Sequence, residues 1–407
     1  QRQMCIRDSI ARAYYYAELI KQYGGVPIVE SQYAANKFIP RSSYDQIVEY
    51  IVKEIDDHKG KLAVDWASFS ERNGRFTLGA ALAIKARVLL YAASPLHNPD
   101  NDVEKWKKAA AAAYDIISNP DLNYSLDSDY GAYFQGNRSL SSPETIYVVR
   151  REQSNAMESN NYPIATPGGA SGVTPTQNLV EAYEWVGDPV AGDPYANRDP
   201  RLAASVVTNG STWNGHVIDQ SPGGRHDMSA PNASKTGYYL KKFLTDNLDL
   251  TQGAKVQHNW VSYRYAEVLL NYAEAMNEAY GPDQAPGDYA LTALDALQLV
   301  RDRASLQLPI VTAATRDEFR EAVKHERRIE LAFEDHRYWD LLRWKDAMEV
   351  LNKPVRGVKV TKTGEGKWSY TQTEVATRTF LERNYYMPFT RSEVENSNHT
   401  LEQNPGY

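Results

Sequence analysis

The sequence predicts a mainly α-helical protein with a long, loop-rich, weakly β excursion set between two helical blocks. Three observations carry that expectation. Apolar residues recur at three- and four-residue spacing through most of residues 10–120, the same patterning returns from residue 263, and the stretch between is dense in turn dipeptides. At 407 residues the chain exceeds the roughly 250–300 at which a single core stops growing, so two subdomains or an extended helical array are expected.

In the first block, residues 10–23, 43–61, 77–94 and 106–118 each read as a helix, punctuated by Gly24-Gly25, Asn73-Gly74 and Pro95. They read as antiparallel helix pairs of a repeat array, although no strict 34-residue, tetratricopeptide-like period emerges. The excursion, 119–259, carries Asn119-Pro120, Pro167-Gly168, Asp199-Pro200 and Pro222-Gly223, with β-rich pieces at 145–149 and 238–243. Loops this long inside a compact protein are usually functional or disordered, and the aromatic content favours function. Helices resume at 263–280, 289–304 and 316–351, with Gly281-Pro282 closing the first and Pro354 beyond the last. The tail, 355–407, reads as short extended pieces and turns.

Composition narrows the function classes. A net charge of −7 with no basic block argues against nucleic acid, because phosphate binding needs clustered Lys and Arg. A single cysteine, Cys5, excludes an internal disulfide and any multi-cysteine metal site. The most apolar run, 78–94, is interrupted by Lys85 and Arg87 and falls short of the about 20 residues needed to span a bilayer. Tyrosine is in excess: 28 Tyr and 8 Trp stand against 9 Phe, a balance suited to surfaces where an apolar face and a polar handle are both used.

No catalytic or metal motif survives inspection. Glu326, Glu330 and Glu334 recur every four residues, within about 80° of one helix face, and Arg337 falls in the same arc. A di-metal reading would need Glu-x-x-His pairs, and no Glu stands three residues before His325 or His336. The stripe is therefore expected to form ion pairs with Arg327, Arg328 and Arg337. Residues 364–367 (GEGK) resemble the end of a phosphate loop, but Trp368 replaces the hydroxyl residue and Thr361 the first glycine. Residues 168–172 (GGASG) have the wrong glycine spacing for a nucleophile elbow. No cofactor is expected.

Several segments together resemble one family, the SusD/RagB nutrient-binding lipoproteins: ARAYYYAELIKQYGGVPIV (11–29), GAALAIKARVLLYAASPLHNP (79–99), TPTQNLVEAYE (174–184), YANRDPRL (195–202), TGYYLKKF (236–243), YRYAEVLLNYAEAMNE (263–278), ERRIELAFEDHRYWDLLRW (326–344) and LEQNPGY (401–407). The resemblance implies tetratricopeptide-type helix pairs as scaffold, loops presenting a glycan site, and no enzymatic activity. It further implies a surface-exposed outer-membrane lipoprotein that delivers oligosaccharide or polysaccharide to a SusC-type TonB-dependent transporter. The alternatives are an oligopeptide binder, or a helical-repeat lid with no small ligand of its own. In domain terms, 10–120 correspond to the remaining part of the N-terminal helical region. Residues 121–407 correspond to the RagB/SusD domain, with its ligand region at 121–259 and C-terminal helices at 260–352. Residues 1–9 read as a leader foreign to the family, joined where the lipid-anchored N-terminus is missing. Asp335 stands where family members often have Gly.

Sugar binding uses flat aromatic rings against the apolar sugar face, with amide and charged side chains orienting hydroxyls. Trp185, Trp213, Tyr162 and Tyr195 are the aromatic candidates and Asn160, Asn161 and Arg198 the polar ones, each also open to a loop-anchoring role.

Overall fold

The computed structural model describes residues 2–29, 38–65 and 74–407, with the backbone alone for residues 2–7. The side chain of Cys5 therefore lies outside the described residues, while its backbone is part of the first helix.

The first block forms helices α1 (Arg2–Tyr23), α2 (Tyr44–His58), α3 (Leu78–Ala93) and α4 (Val103–Ile117). Their ends follow local chemistry. The Ser43 hydroxyl accepts from the Gln46 N–H at 3.2 Å and the Gln46 side chain accepts from the Ser43 N–H at 2.9 Å, a reciprocal cap that starts α2. Thr77 and Asp102 cap α3 and α4 one way only, their side chains accepting from the Ala80 and Glu104 N–H groups. Each helix packs on the next, and α4 packs on the helix Tyr265–Tyr280. Alanines on α3 and α4 are buried at these contacts, and their small side chains let the backbones approach.

Helix Tyr265–Tyr280 is the axis of the fold: every residue from Ala266 to Glu278 is buried. Its carboxylates are consequently paired. Glu267 accepts from Arg87 of α3 at 2.6 Å, and Glu274 accepts from Arg343 at 2.5 and 2.7 Å and from the Trp344 indole at 2.7 Å. Burial alone would raise the Glu267 carboxyl, but Arg87, joined by His336 and Arg327, holds the group down at about 2.

Three sequence expectations change. The helix expected over 289–304 is Ala293–Arg301, because Thr292 and Asp295 form a reciprocal cap that fixes its start. The tail contains a long hairpin, Val355–Gly364 with Lys367–Ala376, rather than short extended pieces. The stretch 316–351 is not one helix: Arg316–Glu330 ends in turns, Arg337–Arg343 follows, and Ala347–Val350 comes after. Phe333 and Asp335 take φ values of +65° and +62° between the first two, in the left-handed region that an α-helix does not use. The left-handed Asp335 explains why glycine suits that position.

The break leaves Glu334 off the helix but not out of the ion pairs, whose partners differ from those expected. Glu330 accepts from Arg264 and Arg303 at 2.8 Å and from Arg201 at 2.9 Å. Glu326 takes Arg201 and Arg301, Glu334 takes Arg264 and Lys242, and Glu144 takes Arg264 and Arg303. Arg327 instead binds Asp340 at 3.0 Å and Asn271 at 2.6 Å, and Arg328 donates to the Asn178 carbonyl. Burial opposes ionisation of Glu330, yet Arg303, Arg264 and Arg201 hold its carboxyl well below the usual range. This cluster ties the excursion (Glu144, Arg201, Lys242) to the helical scaffold.

Candidate functional site

An antiparallel ribbon crosses the base of the excursion and is broken once. Thr145–Val149 pairs with Trp260–Arg264, so that Val149 faces Trp260, and Gln153–Ser154 pairs with Val256–Gln257. Residues 150–152 and 258–259 lie between the two ladders. Irregular pairing of this kind re-aims side chains, as bulges do beside binding sites.

A cavity of about 290 Å³ opens at the break. Phe134, Met157, Phe243, Trp260 and Val261 supply its apolar wall; Arg151, His258 and Asn259 come from the unpaired residues. The rings form a continuous run: Phe134 meets Phe243 edge to face with centroids 5.3 Å apart, and Phe243 meets Trp260 at 6.1 Å. Phe243 has φ of +74°, a strained conformation for an aromatic residue, held where its ring joins the wall.

Behind this wall lies the ion cluster. The Lys242 ammonium sits 4.0 Å from the Phe134 ring centre and donates to Glu334 at 2.7 Å, to the Ala332 carbonyl at 2.9 Å and to the Tyr130 hydroxyl at 2.8 Å. Burial pushes Lys242 down to about 8. His258 turns Nε2 toward the fully buried Glu158 at 2.8 and 3.0 Å, and Glu158 also accepts from the Thr245 N–H. Asn259 donates to Asn137 at 3.2 Å, while its own carbonyl oxygen is buried without a partner.

None of the seven residues proposed from sequence lines this cavity. Two are corrected outright as stacking platforms: Trp213 is 2% exposed and Tyr162 0%, and the pair meets edge to face at 5.7 Å inside a core cluster with Ile164, Val207 and Leu244. A ring enclosed on both faces has none to offer a sugar. Asn161 is buried as a loop anchor, accepting from Val173 N–H and donating to the Met157 carbonyl, both at 2.9 Å. The Tyr195 ring packs edge-on against Tyr238 and Tyr370. Trp185 and Arg198 are brought together, the guanidinium 4.0 Å over an indole that remains 36% exposed. Arg198 is also spent on the carbonyls of Tyr183 and Pro194. Asn160 is exposed, with its carbonyl accepting from Gly172. Sequence reasoning missed Trp260, whose available signal was a tryptophan after His258-Asn259 at the end of the excursion.

Other recesses differ in kind. Two larger clefts, of about 570 and 560 Å³, are lined among others by Val64, Asp65 and Gly74 and by Val29 and Phe38. A third lies between Trp106 and Trp344 in the helical scaffold, walled by the Glu278–Arg320 ion pair. Among the described residues no group of His, Cys, Asp and Glu could hold a metal, and no helix is long and apolar enough to cross a membrane.

The fold and cavity define a helical-repeat scaffold that carries a loop-built recess. Comparison with known proteins gives the family: residues 133–407 match the SusD family and residues 7–90 match the family described as starch-binding associating with outer membrane. The chain belongs to the SusD family. It is 25% identical over 382 residues to SusD-like protein P38 of Formosa agariphila, covering 85% of this chain and 67% of that protein. A SusD-like protein of Bacteroides fragilis superposes with a TM-score of 0.81 at 26% identity, over 99% of this chain and 79% of its own. A second Bacteroides fragilis structure, described as a SusD-like carbohydrate binding protein, gives 0.80 at 26% identity over 97% and 78%.

Proposed function

We propose that this chain is a surface glycan-binding protein of the outer membrane, lipid-anchored and non-catalytic, which presents oligosaccharide from the Trp260 cavity to a SusC-type TonB-dependent transporter. The observation that carries the reading is the aromatic run Phe134–Phe243–Trp260 beside polar side chains from a broken ribbon. An aromatic face takes the C–H face of a sugar, and the polar rim takes its hydroxyls. Family membership and the carbohydrate-binding relative support the same reading.

Screening the chain against a glycan panel, then titrating each binder into wild type and Trp260→Ala, tests the cavity. Loss of affinity of at least about tenfold is expected for a ring at the centre of a binding site. Unchanged affinity in Trp260→Ala would move the site elsewhere. Co-purification with the transporter in the absence of any glycan binding would favour the ligand-free lid.

A further inference from the structure

We propose that the cavity selects a sugar ring bearing an anionic substituent, a carboxylate or a sulfate ester, and that Arg151 is the group that meets the charge. The inference rests on the glycan reading above and names the class of glycan.

The charge balance of the lining carries it. The side chains around the recess include Arg151 and His258 and no Asp or Glu. The carboxylate behind the lining, Glu158, is wholly buried and engaged with His258 and the Thr245 N–H, and the exposed Glu152 beside Arg151 in the ribbon break does not line the recess. Arg151 is exposed, and among the described residues no carboxylate lies within ion-pair distance of it. That is notable in a chain of net charge −7, where acidic partners are in surplus and Arg138, Arg201, Arg264, Arg301 and Arg303 all have one.

Position supports the same conclusion. The Arg151 backbone is fixed by its carbonyl, which accepts from the Gln257 side chain at 2.9 Å, so the guanidinium springs from an anchored point in the ribbon break. A ring stacked on Trp260 would carry its substituents outward to that rim. Guanidinium presents paired N–H donors in a plane that matches either a carboxylate or a sulfate, and a bond of this kind is stronger than one to a neutral hydroxyl. The volume, about 290 Å³, lies at the small end of ligand sites, which suits recognition of a ring and its substituent rather than of a long chain.

The test titrates the full chain with two matched pairs: tetragalacturonic acid against its methyl ester, and a sulfated galactan tetrasaccharide against its desulfated form. In low salt the charged member of one pair should bind about tenfold more tightly than its uncharged partner, as a charge-assisted contact predicts. That advantage should vanish in Arg151→Gln and shrink with added salt. The pair that shows it tells carboxylate from sulfate. Equal affinity within both pairs, or an advantage that persists in Arg151→Gln, overturns the inference; if the uncharged sugars still bind and still require Trp260, the glycan reading stands. Failure of all four sugars, with no binder in the glycan panel, overturns both.

Discussion

Glu330 and Arg201 are 129 residues apart in sequence, each no more than 1% exposed, and their side chains meet at 2.9 Å. The contact joins the end of helix Arg316–Glu330 to the excursion, and Arg264 and Arg303 close on the same carboxylate. Replacing the carboxylate would take one buried partner from each of three guanidinium groups and leave them with Asp199, Glu326, Glu334 and Glu144.

Glu330→Ala should therefore lose about 3–5 kcal/mol of folding stability, the usual cost of removing one partner from a buried ion pair. Denaturant unfolding measures it, and a loss below about 1 kcal/mol would contradict a buried cluster. Glu349→Ala, which breaks the exposed pair with Lys353, should leave stability nearly unchanged.

Acid should unfold the protein in two overlapping windows. Burial lowers His336 from 6.5 to about 4, so between these values the unfolded chain binds a proton that the fold excludes. The His336 contribution is full above pH 6.5 and falls by on the order of 3 kcal/mol as pH drops to about 4, in the window where burial also lowers His97 and His226. Glu267, lowered from 4.5 to about 2 with Arg87, His336 and Arg327 outweighing burial, withdraws its contribution over that lower range. Melting temperatures between pH 7 and 4 for wild type and His336→Gln provide the check; parallel curves would refute the assignment to His336.

Trp213→Ala should destabilise by about 3–5 kcal/mol, as for a large aromatic removed from a packed core. Tyr162→Phe should cost less, about 1–3 kcal/mol, because it removes two hydrogen bonds, one donated to the Thr245 carbonyl and one accepted from the Leu248 N–H. If Trp213→Ala kept full stability and lost glycan affinity instead, the ring would be a binding platform after all.

Asp335→Gly should be neutral or stabilising by up to about 1 kcal/mol, because glycine adopts the observed +62° without a Cβ clash. Asp335 gives up a 3.3 Å contact from the Trp339 indole and a 4.0 Å approach of the Lys21 ammonium. A clear loss of stability would show that these contacts, rather than backbone strain, govern the turn.

Trp185→Ala removes a half-open ring already covered by Arg198 on one face, and should change glycan affinity less than Trp260→Ala. Titration of one glycan into both variants decides between the two surfaces.

What residue order alone reveals here is what local physics encodes. Apolar spacing located α1 from residue 10 onward, α2 to α4 and helix Tyr265–Tyr280, because amphipathic faces involve residues within a few positions of each other, while the backbone carries α1 back to Arg2. Patterning did not locate the break at residues 331–336, since the apolar residues there continue a helical spacing while the backbone turns left-handed at Phe333 and Asp335. Tertiary structure alone decided the partners of Glu330 and the fate of each aromatic ring. Trp213 and Trp260 look alike in a chain rich in aromatics. One is sealed by Tyr162 within its own core cluster, while the other stands at a gap between two strand ladders. Ring exposure depends on what distant segments bring against it, which residue type and spacing do not specify.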